Sequence, residues 1–133
     1  MININKQNEL INAAMKVRGN AYAPYSNFQV AAALLCTDGE IITGINIESS
    51  SYGLSVCAER NTIATAVAKG KKDFIAMAVV SQNGVTPCGA CRQVIFDICG
   101  DIDIILSDGN GNIQDVTTTK VLLPKAFSHK DLG

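Results

Sequence analysis

The chain has 133 residues, 47% of them hydrophobic and 17% charged, a composition that excludes intrinsic disorder and suits one folded domain over residues 1–133 with a substantial core. A net charge of −1, no cluster of Lys or Arg and no tryptophan exclude the basic, stacking groove that nucleic-acid binding needs, and point to a small soluble substrate. No stretch has the length of a membrane span or the pattern of a targeting segment, and five cysteines, an odd number, suit a reducing, cytoplasmic setting better than a disulfide framework.

Residues Asn5 to Gly19 place Leu10, Ile11, Ala14, Met15 and Val17 on one stripe, which predicts an amphipathic helix. Asn20 to Ser26 is a loop by its proline and polar residues, with Tyr22 and Tyr25 placed either to line a pocket or to fill a gap. Phe28 to Cys36 is an apolar run, Thr37-Asp38-Gly39-Glu40 has turn chemistry, and Ile41 to Ile47 continues as a second strand, so an antiparallel hairpin is expected. Alternation then puts Asn46 and Glu48 on one face and Ile47 on the other. This amide and carboxylate suit sugar hydroxyls, and they suit a solvated strand end equally well.

Ser49 to Gly53 is a polar loop that delivers the strand end to Cys57. From Cys57 to Lys69, Ile63, Ala64, Val67 and Ala68 recur at helical spacing, and Gly70 closes the segment. Phe74 to Ser81 reads as a strand buried on both faces, Gln82 to Thr86 as a loop. A third helix opens at Pro87, a residue tolerated where a backbone N–H has no helical partner, carries Val94, Ile95 and Ile98 on its apolar side, and stops at Gly100. Ile102 to Leu106 is a strand, Asp108-Gly109-Asn110-Gly111 a turn, and Ile113 to Val116 a last strand.

In the tail, Leu122 to His129, Phe127 either folds back or reaches a neighbouring chain, and His129, the only histidine, reads as part of a polar end rather than as a ligand. Cys36 and Cys99 read as small buried hydrophobes. Strands alternating with helices after a hairpin indicate an α/β fold, a mixed five-stranded sheet covered on both faces in a three-layer α/β/α sandwich.

The chemistry lies where two of these helices begin. Cys88 and Cys91, three apart in a first turn, share a face and can chelate one ion. Cys57 and Glu59, two apart, can both look toward that ion only around a helix mouth. Arg60 so close to a helix N-terminus is electrostatically misplaced unless anions lie beside it, and thiolates would be such anions. Three thiolates on zinc leave an open fourth position, as in catalytic rather than structural sites, and a carboxylate alongside can move protons. A lone Cys-x-x-Cys also occurs in structural zinc knuckles and thiol redox motifs, but those give Glu59 no task. Cys-x-Glu together with Pro-Cys-x-x-Cys matches the zinc deaminase signature in form, with Cys57 in the place of its histidine.

Read jointly, Ala23-Pro24-Tyr25-Ser26, Phe28-Gln29-Val30, Asn46-Ile47-Glu48, Cys57-Ala58-Glu59-Arg60, Pro87-Cys88-Gly89-Ala90-Cys91-Arg92-Gln93 and Leu123-Pro124-Lys125-Ala126-Phe127 closely resemble the small homotetrameric cytidine deaminases, nearly end to end. The resemblance implies one zinc ion per subunit on Cys57, Cys88 and Cys91, Glu59 as proton shuttle and Arg60 hydrogen-bonded to ligand thiolates. It implies Asn46 and Glu48 on the ribose, Phe28 against the base, and Phe127 in the active site of an adjacent subunit. The implied reaction is conversion of cytidine and 2'-deoxycytidine to uridine and 2'-deoxyuridine in pyrimidine salvage. A deaminase of a cytosine-containing antibiotic such as blasticidin S would share both cysteine motifs. Two departures stand out: the family's Phe-x-Val-Gly-Ala-Ala reads Phe28-Gln29-Val30-Ala31-Ala32-Ala33, and Ser49-Ser50 replaces its usual Asn-Glu or Asn-Ala.

Overall fold

The computed structural model describes residues 1–133. The alternating apolar runs become a five-stranded sheet of β1 (Ala31–Cys36), β2 (Ile41–Ile45), β3 (Phe74–Val80), β4 (Asp103–Ser107) and β5 (Ile113–Thr118), in the order β2-β1-β3-β4-β5. Only β3 and β4 are parallel, and the crossover between them contains α3 (Gly89–Cys99); the other neighbours are antiparallel. The sheet is therefore mixed, as expected.

Successive side chains of a strand point to opposite faces, and here both faces are buried. Ala31, Ala33, Leu35, Ala76, Ala78, Val80 and Ile105 pack with Leu10, Ile11 and Ala14 of α1 (Ile4–Arg18). The other set, including Ala32, Leu34, Met77, Val79, Ile104 and Leu106, packs with Ala58, Ile63 and Ala66 of α2 (Ala58–Ala68) and Ile95 of α3. One helix covers one face and two cover the other, which makes the three layers. A short α4 (Thr119–Leu122) follows β5.

Several local expectations change. The first strand begins at Ala31 rather than Phe28, because Asn27 turns through φ 57° and side-chain bonds from Asn46 take over at Phe28 and Val30. Likewise the second strand ends at Ile45, and Ile47 forms only isolated bridges to Tyr22 and Val56. Pro87 lies just outside α3, whose N-cap is Cys88 in an extended conformation. Gly100 does end that helix, at φ 73°.

On α2 the buried face is Ala58, Glu59, Thr62, Ile63 and Ala66, so Ala64, Val67 and Ala68 point outward. Ile98 of α3 is likewise exposed, at 41%. Helical spacing identified the segments but not which stripe meets the sheet, since Ala in α2 and Ile in α3 occupy both sides. Cys36 is buried in the core as read, with Cys99 packed against it.

The contact of α2 with β2 explains one glycine. A Cβ on Gly44 would lie 2.7 Å from the Thr62 backbone nitrogen, and backbone cannot rotate away. Gly44→Ala is therefore expected to cost about 1–3 kcal/mol by overpacking, read as a lower denaturation midpoint; an unchanged midpoint would show that the helix shifts freely.

Candidate active site

Strand register gathers the site. Ala31 pairs with both Ile45 and Val80, so the start of β1 and the ends of β2 and β3 lie at one edge of the sheet. Phe28 precedes the first, Asn46 and Glu48 follow the second, and Ser81 and the loop to Cys88 follow the third. A cleft of about 470 Å³ opens there, lined by Phe28, Val30, Val79 and Val85, by Ser26, Asn46, Glu48, Glu59, Ser81 and Thr86, and by Cys57 and Cys88.

Cys57 is the N-cap of α2 and Cys88 the N-cap of α3, and neither sulfur caps its own helix. Both sulfurs are thus free to face each other, at 3.8 Å, while Cys91 Sγ lies 3.4 Å from Cys88 Sγ. All three lie within 4.8 Å of one another. Tetrahedral zinc with bonds of about 2.3 Å to sulfur separates its sulfurs by roughly 3.8 Å, so this donor set fits zinc in type and spacing.

The electrostatics agree. The Cys91 thiol and the Arg60 guanidinium, whose Nη2 lies 3.7 Å from Cys57 Sγ, bring Cys57 down to about 5 against the effect of burial. Cys91 moves up, because it donates to Cys57 and is itself buried. The cluster thus already carries thiolate charge, and a metal would displace the remaining protons. Arg60, the cation out of place at a helix N-terminus, finds the anion it requires; its Nε is buried with no partner.

Glu59 is 4% exposed, and burial above all, with the charge on Cys57, pushes its carboxyl up to about 7. It shares the cleft with Cys57 and Cys88. Such a group can take and give a proton near neutrality.

The sugar-side candidates take different forms. Glu48 Oε1 accepts the Tyr25 and Ser26 N–H groups at 3.0 and 3.1 Å, and Oε2 accepts the Ser26 hydroxyl. Asn46 spends its side chain on backbone: Oδ1 accepts the Val30 N–H at 2.9 Å and Nδ2 donates to the Phe28 carbonyl at 2.8 Å. That leaves one amide proton and one lone pair for anything else.

Phe127 is not in the cleft of its own chain. It is 58% exposed, and its carbonyl accepts Gln93 Nε2 at 2.8 Å. His129 is also remote from the thiols, beside a separate cavity of about 710 Å³ under the tail.

Sequence reasoning missed Ser26, Ser81 and Thr86 as lining residues. Ser26 had a signal, a hydroxyl two residues before an aromatic in a turn-rich run, where it accepts the Phe28 N–H at 3.0 Å. Arg92 is a further residue whose place local spacing does not reveal. It donates to the Pro87 carbonyl at 2.8 Å, to the Leu122 carbonyl at 2.9 Å and to Thr86 Oγ1 at 2.9 Å, and so fixes the lip before Cys88 against α4.

A mixed sheet with a three-thiol zinc site and a buried carboxylate in one cleft defines a zinc-dependent α/β protein of deaminase type. Residues 4–106 match the family described as the cytidine and deoxycytidylate deaminase zinc-binding region, and the chain belongs to that family. A cytidine deaminase of Halalkalibacterium halodurans is 48% identical over 93% of this chain and 96% of its own length. The crystal structure of a cytidine deaminase from Burkholderia pseudomallei superposes with a TM-score of 0.86 at 42% identity, covering 95% of this chain and all of the other. A blasticidin-S deaminase of Bacillus cereus is 33% identical over 95% of this chain and 96% of its own.

Cys88→Ala leaves two sulfurs. Zinc measured by atomic absorption after dialysis is expected to fall from about one per chain to a small fraction, and full retention would remove Cys88 from the ligand set.

Proposed function

We propose that this chain is a single catalytic domain that hydrolyses the exocyclic C–N bond of cytidine and 2'-deoxycytidine, giving uridine or 2'-deoxyuridine and ammonia. The observation that carries this reading is a cleft of about 470 Å³ with a partly apolar wall, lined by a buried carboxyl near 7 and by two thiols whose sulfurs cluster with that of the buried Cys91. The named relatives support it.

Cys57, Cys88 and Cys91 would hold the zinc, which would supply the Lewis acidity that makes water a nucleophile at neutral pH. Glu59 would take a proton from the attacking water and pass one to N3 of the ring, making C4 electrophilic. The water oxygen adds at C4, Glu59 carries a second proton to the amino group, and the C–N bond breaks with ammonia leaving. Burial suits Glu59 to both transfers, since a carboxyl near 7 is neither a weak base nor a weak acid at working pH. Arg60 draws charge from the sulfurs, offsetting the loss of electrophilicity that three thiolates bring. Phe28 lies against the base, and Asn46 and Glu48 take the ribose.

Phe127 completes the site of a neighbouring subunit in a homotetramer. Its exposure supports this, as do the outward Val67 and Ile98. A cytoplasmic place in pyrimidine salvage suits a site that needs reduced thiols. No helix is long and apolar enough to cross a membrane.

Ultraviolet spectra during incubation with cytidine, 2'-deoxycytidine and blasticidin S test the substrate. Turnover of both nucleosides is expected, and turnover of the antibiotic alone would replace this reading with the other. Glu59→Gln should keep zinc and fold while kcat for cytidine drops about 10²–10⁴-fold; normal turnover would end the proton-shuttle assignment. Light scattering should give a tetramer, and Phe127→Ala should weaken turnover. A fully active monomer would contradict both.

A further inference from the structure

The loop before β1 is closed by one hydroxyl. Asn27 sits at φ 57°, in the left-handed region that few side chains adopt, and its N–H donates to the Ala23 carbonyl at 2.9 Å. Ser26 Oγ accepts the Phe28 N–H at 3.0 Å across this turn, and its single proton goes to Glu48 Oε2. One oxygen therefore ties the carboxylate to the start of the segment that carries the aromatic ring.

A carboxylate has about four lone-pair directions. Two on Oε1 are taken by backbone N–H groups and one on Oε2 by Ser26, which leaves one on Oε2, and both Ser26 and Glu48 are among the residues that line the cleft. The Ser26 hydroxyl is also the largest influence holding Glu48 below the usual carboxylate range, so the group remains an anionic acceptor. Without that hydroxyl, Oε1 keeps its backbone donors while Oε2 loses the contact that orients its last lone pair.

We propose that Ser26 is a specificity-determining positioning residue, which aims Glu48 Oε2 at a sugar hydroxyl and thereby selects nucleosides with a hydroxylated ribose over those with a bare sugar. This rests on the reading that Glu48 takes the ribose. The serine acts on the sugar through Glu48, and because it also holds the Phe28 backbone, its effect is read as a change in preference between sugars rather than in overall affinity.

The test compares uridine with 2',3'-dideoxyuridine, two products that differ only in sugar hydroxyls, as competitive inhibitors of cytidine turnover. The unsubstituted protein is expected to bind uridine more tightly. Ser26→Ala should reduce that preference about tenfold, the loss expected for one misaligned hydrogen bond to a charged group. Ser26→Thr, which retains a hydroxyl, should restore most of it. Glu48→Gln should reduce it at least as far, and adding Ser26→Ala to Glu48→Gln should change it no further. A merely structural serine would weaken both inhibitors together. An unchanged preference in Ser26→Ala with a reduced one in Glu48→Gln therefore overturns the Ser26 assignment and leaves Glu48 on the sugar. An unchanged preference in Glu48→Gln overturns the sugar reading and the Ser26 assignment with it.

Discussion

The site depends on one constraint, the register in which Ala31 lies opposite both Ile45 and Val80. It makes three segments far apart in sequence end at the same sheet edge, and the same edge receives the N-termini of α2 and α3. A one-residue slip in β1 would send Ala31, Ala33 and Leu35 to the wrong face and move Phe28 away from the cleft. Burial on both faces of β1 opposes such a slip. The chemistry of the cleft is in this sense held in place by the hydrophobic core.

Two helix mouths aimed at one point are a positive environment, and the three sulfurs answer it. Arg60 adds further positive charge where helix electrostatics alone would reject it, and it is stabilised there by the Cys57 thiolate. Glu59, one turn position away on α2, experiences the opposite sum: burial and the neighbouring thiolate both favour its protonated form. Adjacent residues thus respond in opposite ways to the same anion: Arg60 is held as a cation, and the Glu59 carboxyl is pushed toward neutrality.

The far side of the cleft is built from backbone donors. Glu48 is oriented by Tyr25 and Ser26, while Asn46 stitches Phe28 and Val30 to the end of β2. Polar side chains that close local hydrogen bonds here replace the ladder that β1 and β2 abandon at this edge. The irregular backbone from Asn27 to Val30 is what allows an aromatic ring, an amide and a carboxylate to meet.

Much of this was legible in the amino-acid order. That Cys57, Glu59, Cys88 and Cys91 form one cluster was readable because metal and acid–base chemistry would demand such side chains at short spacings, and the first four strands because apolar runs between turn residues have few other uses. Other features depend on packing. Val67 and Ile98 face outward because the sheet accepts Ala58, Thr62, Ile63 and Ile95 instead, a choice between nearly equivalent apolar stripes that periodicity cannot make. Ser26 meets Glu48 only because a carboxylate 22 positions later folds against it. Local order determined which groups could act; the strand register and the helix contacts decided which of them share one space, since distances between remote residues are a property of the packed chain alone.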